Sequence, residues 1–501
     1  MNQFQKVHRE HHLHAVPRLL SNITFVNVLK IKNIHEREIA AMKIIVLNGS
    51  PKGDVSITMQ YVHFVQKKFP QHELKILNIS QRIKAIEKQD NAFREIIDEV
   101  RSANGVLWAF PLYFLLVPSN YKRFIELIWE RGAEDAFKDK YAASLSTSIH
   151  FYDHIAHNYI NAISDDLDMK FAGGFSAAMY DLLKEKERKR LLLFAEHLFD
   201  AIENNIPMSK NFRPLIHSSI EYIPGDVQSK IGVDRQKVVV LTDSKDEGTN
   251  LGRMLRQFTG AFSGEVEVND LNEVDIKGGC QGCIQCGYDN SCLYGDKDGY
   301  VEFFNTTVKS ANILVLAGSI KDRYLSSRWK LFFDRSFFNN HVPVMRGKQL
   351  GFIISGPLSQ IPNLRQALEG YFEVQQAGIV DFITDEFGDS AQIDALLLSL
   401  AQRLIRSAND GYAKPASFLG VGGKKVIRDD IYGPLRFPFR ADHNFFKKNG
   451  LYDFPQKDYK SRITNSMMML LSRIPSIRKD IYTKRIKTEM IKPLQKVLKR
   501  E

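Results

Sequence analysis

KIIVLNGSPKGDVSIT, Lys43 to Thr58, begins as an apolar run and ends in a loop of small, hydroxylated residues that enters a helical pattern. The run is short and continuous, as in a strand buried on both faces. KVVVLTDSKD, Lys237 to Asp246, resembles its first part, so the chain contains an internal repeat. NGVLWAFPLY (Asn104 to Tyr113) likewise resembles NILVLAGSIK (Asn312 to Lys321). From there the register holds: Tyr121-Lys122 matches Trp329-Lys330, Phe124 matches Phe332, Glu126 matches Asp334 and Lys140 matches Lys348. The separation between copies grows between the first pair of runs and the second. The second copy therefore carries an extra loop in that interval, and the loop holds all 4 cysteines of the chain.

Apolar runs alternate with helical patterns such as ITMQYVHFVQKKF and AFREIIDEVRSA. This alternation predicts an α/β chain with two doubly wound parallel-sheet domains in tandem. Their expected extents are 42–205 and 236–412, joined by a Pro-containing linker over 206–235. Residues 1–41 fit neither copy and are expected to be a disordered, histidine-rich extension. Residues 413–501 form a tail, partly helical and basic. From Leu451 to Glu501 it has 13 Lys and Arg against 5 Asp and Glu, and the whole chain of 501 residues carries a net charge of +11. With so much of the excess in the tail, the remainder is near balance, and no nucleic-acid partner is expected. Packing of the tail onto the second domain is expected in preference to contact with a membrane surface. No run reaches the roughly 18 apolar residues of a membrane span, and the N-terminus lacks the apolar core of a secretory signal. A cytoplasmic, reducing location follows as an expectation.

The first copy's loop suits a phosphate at a helix N-terminus. Gly49 allows close approach, Pro51 turns the chain, Ser50, Ser56 and Thr58 offer hydroxyls, and Lys52 adds charge. Two more strand-end loops should share that edge. One contains Pro111, Leu112 and Tyr113, placed to line a flat ring; the other contains Thr147 and Ser148. One loop for phosphate and two for an aromatic system match flavin mononucleotide. NGSPKGDVSIT together with PLYFLLVPSNYKRFIE resembles the flavodoxin-like NAD(P)H-dependent FMN reductases. That resemblance implies the flavodoxin-like fold, FMN as cofactor and NAD(P)H as electron donor. The second copy departs from it: Asp243 replaces Gly49, Asn250 replaces Ser56 and Lys321 replaces Tyr113. These changes weigh against a second flavin without deciding the matter.

CQGCIQCGYDNSC places Cys280, Cys283, Cys286 and Cys292 at x2, x2 and x5 spacing. Four thiolates suit a [4Fe–4S] cluster or zinc. Zinc knuckles usually sit across a longer gap, so the spacing favours the cluster over zinc, with redox thiols or no metal as the remaining alternatives. This motif in such a domain resembles the iron–sulfur flavoproteins. The resemblance implies electron exchange with partners such as ferredoxin, and dimers in which cluster and flavin approach across the interface. The expectation is an internal pseudo-dimer: FMN in the first copy, cluster in the second, and no side-chain acid or base needed for hydride transfer. An NAD(P)H-dependent flavin or quinone reductase with a zinc-binding or vestigial loop is the first alternative. A non-enzymatic electron carrier is the second.

Overall fold

The computed structural model describes residues 41–217, 220–227, 230–233 and 235–499. The expected N-terminal extension lies outside them, apart from Ala41. The first sheet runs β1 (Lys43–Asn48), β2 (Glu73–Asn78), β3 (Gly105–Pro111), β4 (Tyr141–Ser148) and β5 (Lys170–Ala178). The second runs β6 (Val238–Thr242), β7 (Val266–Asp270), β8 (Ile313–Ser319), β9 (Gln349–Ser355) and β10 (Gly378–Thr384). All pairings within both sheets are parallel. The spatial orders are β2-β1-β3-β4-β5 and β10-β9-β8-β6-β7. Read from opposite ends these are one order, 2-1-3-4-5, the flavodoxin-like arrangement with its switch point beside the first strand. The central strands β1, β3, β6, β8 and β9 are buried almost throughout, which explains their unbroken apolar runs.

The repeat extends to single hydrogen bonds. Lys140 Nζ donates to the carbonyls of Arg101 and Ala103, and Lys348 Nζ donates to those of Lys309 and Ala311, the corresponding positions. The two halves meet through the helices Ser119–Glu130 and Ser327–Ser336. Glu126 accepts from the Ser327 amide at the start of the opposite helix (2.6 Å), and Asp334 accepts from the Ser119 amide (2.7 Å). Each carboxylate thus satisfies a helix N-terminus of the other half, the self-complementary contact expected across a two-fold interface. One apolar core runs through this junction, joining Trp108, Phe124 and Ile128 to Trp329, Phe332 and Phe333.

The cysteine segment does more than lengthen a loop. In the first half β2 passes directly into the helix Ile79–Lys88. After β7 the chain instead runs irregularly from Leu271 to Gly299, with a single helical turn at Cys286–Asp289. The tail divides into two parts. Ile427, Ile431, Leu435, Phe439 and Phe446 form a small core that also takes in Ile149, Phe151 and Met179 of the first half and Phe337 of the second. The helices Tyr459–Leu471, Pro475–Asp480 and Ile486–Leu498 bury no residue, so the expected packing fails for them. Among the described residues no helix is long and apolar enough to cross a membrane.

Candidate functional site

The first half's three loops converge at the carboxyl edge of its sheet. Ser56 caps the helix Ile57–Lys68, accepting from the Met59 amide at 3.2 Å. Ser50 is buried; its amide donates to Asn48 Oδ1 (2.9 Å) and its hydroxyl accepts from the Lys52 amide (3.2 Å). Thr58 and Thr147 bring their hydroxyls to 2.7 Å, joining the phosphate-type loop to the end of β4. The Leu112 amide donates to the Thr147 carbonyl, so the third loop closes on the same point. Pro111, Leu112 and Tyr113 are partly exposed there, and Lys52 is exposed at the rim. The Ser148 hydroxyl is turned to the His150 amide (2.8 Å). Gly49 has a second use besides the expected one. A Cβ there would stand 2.9 Å from the Tyr121 ring, so its bareness admits Tyr121, whose hydroxyl donates to the Leu47 carbonyl (2.7 Å).

This cradle fits a phosphate monoester: buried hydroxyls, a helix N-terminus and one lysine, with only Asp54, an exposed residue, as a nearby acid in the loop. The corresponding place in the second half does not. Asp385, the counterpart of Ala177, accepts from Asn250, Ser355 and the Gly356 amide (2.9, 2.7 and 2.8 Å). A fixed carboxylate thus occupies the position where a phosphate would be held. The linker also crosses this loop, with Asn250 bonding the Ile220 carbonyl and the Tyr222 amide. Asp243, bonded to the Ser326 hydroxyl, keeps its other oxygen buried and unpartnered, and burial raises its pKa.

Sequence reasoning missed a polar group beside Ser148. His150 lies 2.9 Å from Asp153, which also accepts from the Ser176 hydroxyl. That hydrogen bond raises the His150 pKa. Burial works against the Asp153 carboxylate, yet its His150 and Ser176 partners hold its pKa at about 2. The i, i+3 spacing of His150 and Asp153 was the available signal, but it is common on helices.

The cysteine loop rests on the first half's site. Gly282 has φ +62°, and a Cβ on it would come within 1.9 Å of the Tyr113 hydroxyl and 3.3 Å of the Lys52 side chain. Only glycine permits that approach. A Cβ on Gly279 would stand 2.7 Å from the Ser119 hydroxyl and 3.0 Å from Asn120 Oδ1. Tyr113 is held from below as well: its carbonyl accepts from Lys330 Nζ at 2.9 Å, and the neighbouring Phe114 stacks on Phe333 at 4.5 Å. Desolvation, with the nearby Cys280, Asp334 and Cys283 adding negative charge, raises the Tyr113 pKa far above its usual value.

All four cysteines line a single small cavity with Leu293, Tyr294, Arg335, Phe337 and Phe338. They are free thiols. Burial pushes Cys280 and Cys286 up to about 12, and the neighbouring cysteines add to both shifts. Among the described residues no group of three or more His, Cys, Asp or Glu closes to metal-binding geometry. Four sulfurs, soft ligands by type, surround one largely apolar cavity that Arg335 also lines.

Residues 42–179 match the family model for NADPH-dependent FMN reductase. The first half therefore carries an NAD(P)H-dependent FMN oxidoreductase domain. No curated protein matches the chain. Among solved structures it is similar to an apo NADH:FMN oxidoreductase (15% identity over 35% of this chain and 98% of that chain, TM-score 0.29). It is also similar to FerB, a flavoenzyme NAD(P)H:(acceptor) oxidoreductase from Paracoccus denitrificans (19% identity, 33% and 98%, TM-score 0.26). A third is general stress protein 14 from Treponema denticola in complex with FMN (13% identity, 32% and 99%, TM-score 0.24).

Proposed function

We propose that the chain is an internally duplicated iron–sulfur flavoprotein. One FMN would be held by Gly49, Ser50, Pro51, Lys52, Ser56, Thr58, Pro111, Leu112, Tyr113, Thr147 and Ser148. One [4Fe–4S] cluster would be held by Cys280, Cys283, Cys286 and Cys292. The observation that carries this reading is the contact of Gly282 with Tyr113, which sets the cysteine loop directly on the flavin-lining loop. When bound, the flavin supplies hydride chemistry with NAD(P)H and the cluster supplies one-electron chemistry. The chain's own part is positional. Ser50, Ser56 and Thr58 bind phosphate, and Lys52 balances its charge. Lys330 and Phe333 fix the Tyr113 loop, and Phe337 and Phe338 give the thiol cavity an apolar wall. A ferredoxin-type carrier in a reducing cytoplasm is the proposed partner for single electrons.

Anaerobic purification followed by iron, sulfide and flavin analysis tests the reading. One FMN with about four irons and four sulfides per chain is expected. Replacing all four cysteines by serine should remove iron and leave FMN. Zinc in place of iron would overturn the cluster. The absence of closed metal geometry among the described residues favours a second reading, a flavin or quinone reductase whose cysteine loop is vestigial. NAD(P)H-driven turnover unchanged in the cysteine-free variant, with no iron in the parent chain, would select it.

A further inference from the structure

The three helices Tyr459–Leu471, Pro475–Asp480 and Ile486–Leu498 leave a large apolar surface without a partner. Tyr459, Ile463, Met467 and Leu470 recur at helical spacing along one stripe of the first helix, and all are exposed, as is Ile474 just beyond it. Ile486, Met490, Leu494, Val497 and Leu498 repeat the pattern, with Leu498 77% exposed. From Tyr459 to Leu498 the chain carries 10 Lys and Arg against 2 Asp and Glu. Most of these cations flank the stripes rather than interrupt them. Lys487 falls within the apolar arc of the last helix, where its long stem can lie along the surface with the ammonium outside.

We propose that this tail lies flat on an anionic lipid surface. A stripe of Met, Leu and Ile bordered by Lys and Arg, on helices not apolar enough to span, is the pattern of an interfacial helix. Lipid satisfies both features at once: acyl chains cover the stripe and acidic headgroups neutralise the flanks. A second copy of the tail would set like charge against like charge. An acidic protein would match the charges but would have to cover the separate apolar stripes of the first and last helices. The attachment point is packed in place: Phe439, Phe446 and Tyr452 bury the preceding segment in a core touching both halves. That segment also reaches the cysteine loop, with Arg440 lying 4.6 Å over the Tyr288 ring. Membrane docking would then hold the redox body at the bilayer surface.

Cosedimentation of the full chain with phosphatidylcholine–phosphatidylglycerol vesicles tests this. Binding is expected there, about tenfold or more weaker on pure phosphatidylcholine, and weakened by salt. The double variant Leu470→Glu, Leu494→Glu should lose about tenfold or more of the binding, with thermal unfolding unchanged because neither residue is packed. No sedimentation with anionic vesicles would overturn the proposal. So would equal binding by the double variant, or tail-dependent dimerisation without lipid. Capture of an acidic ferredoxin by a tail that ignores vesicles would overturn it in favour of a protein partner.

Discussion

The two halves agree where they face each other and differ where they would face a ligand. At their junction the same lysine–carboxylate pair recurs in each interface helix, Lys122 with Glu126 and Lys330 with Asp334. At the sheet edge the first half presents hydroxyls and a lysine, and the second presents Asp385 beneath a crossing linker. A two-fold contact ties each surface to itself through its copy, so a change must suit both sides at once. A ligand loop has no such tie. Once one chain holds both copies, one loop can lose phosphate while the other keeps it.

Even the conserved pairs are not equal, and the largest expected effect comes from that inequality. Burial works against both ammonium groups. Lys122 has two carboxylates, Asp322 and Glu126, and its pKa is raised; Lys330 has only Asp334, and its pKa is lowered. Asp334→Ala strands a buried lysine and the Ser119 amide, with an expected cost of about 3–5 kcal/mol. Glu126→Ala leaves Lys122 its Asp322 partner and should cost about 1–3 kcal/mol. Urea unfolding of both variants measures the gap. Equal losses would mean that Asp322 does not support Lys122 as its 2.8 Å contact implies.

The halves should also part company in acid. His157 lies between Ser144 (2.7 Å) and Ser146 (2.8 Å), and burial lowers its pKa to about 4. Its counterpart in the second half is Arg365, lying 4.8 Å over Phe382. An imidazole kept neutral in the fold takes up its proton more readily when unfolded. Stability is therefore full above the ordinary histidine pKa of about 6.5 and declines as pH falls toward about 4, by up to ~3 kcal/mol. His157→Gln should flatten that slope, while Arg365→Gln should leave it unchanged. Unfolding followed at several pH values between these limits distinguishes them.

Sheet type and duplication were legible because strands buried on both faces leave continuous apolar runs, and matched lysines kept their register. The convergence of Ser56, Thr58, Thr147 and Tyr113 was legible because a parallel sheet brings its loops to one edge. Asp385 was not, because an acid at the end of a half-buried strand looks like any solvated residue until Asn250 and Ser355 are seen around it. Nor was Gly282 separable from Gly279 and Gly287 in the cysteine loop. Only the opposed tyrosine distinguishes it. The exposed tail misled for a related reason: an amphipathic helix carries the same pattern whether a protein core or some other surface is to cover its stripe.

The smallest effect sharpens the contrast at the anion loops themselves. Ser56→Asp keeps a good N-cap, so the helix Ile57–Lys68 should persist, but it brings a carboxylate to the phosphate position as Asp385 does in the other half. Repulsion in this partly accessible site should weaken FMN retention about thirtyfold, or about 2 kcal/mol. Flavin released on gel filtration at graded salt reads it directly, and the loss should shrink as salt rises. The reverse change, Asp385→Ala, should not create a second flavin site. Asp243 remains, and the linker still binds Asn250 through Ile220 and Tyr222. Flavin content should stay at one per chain. A rise to two would mean that the carboxylate alone, and not the crossing linker, keeps the second loop empty.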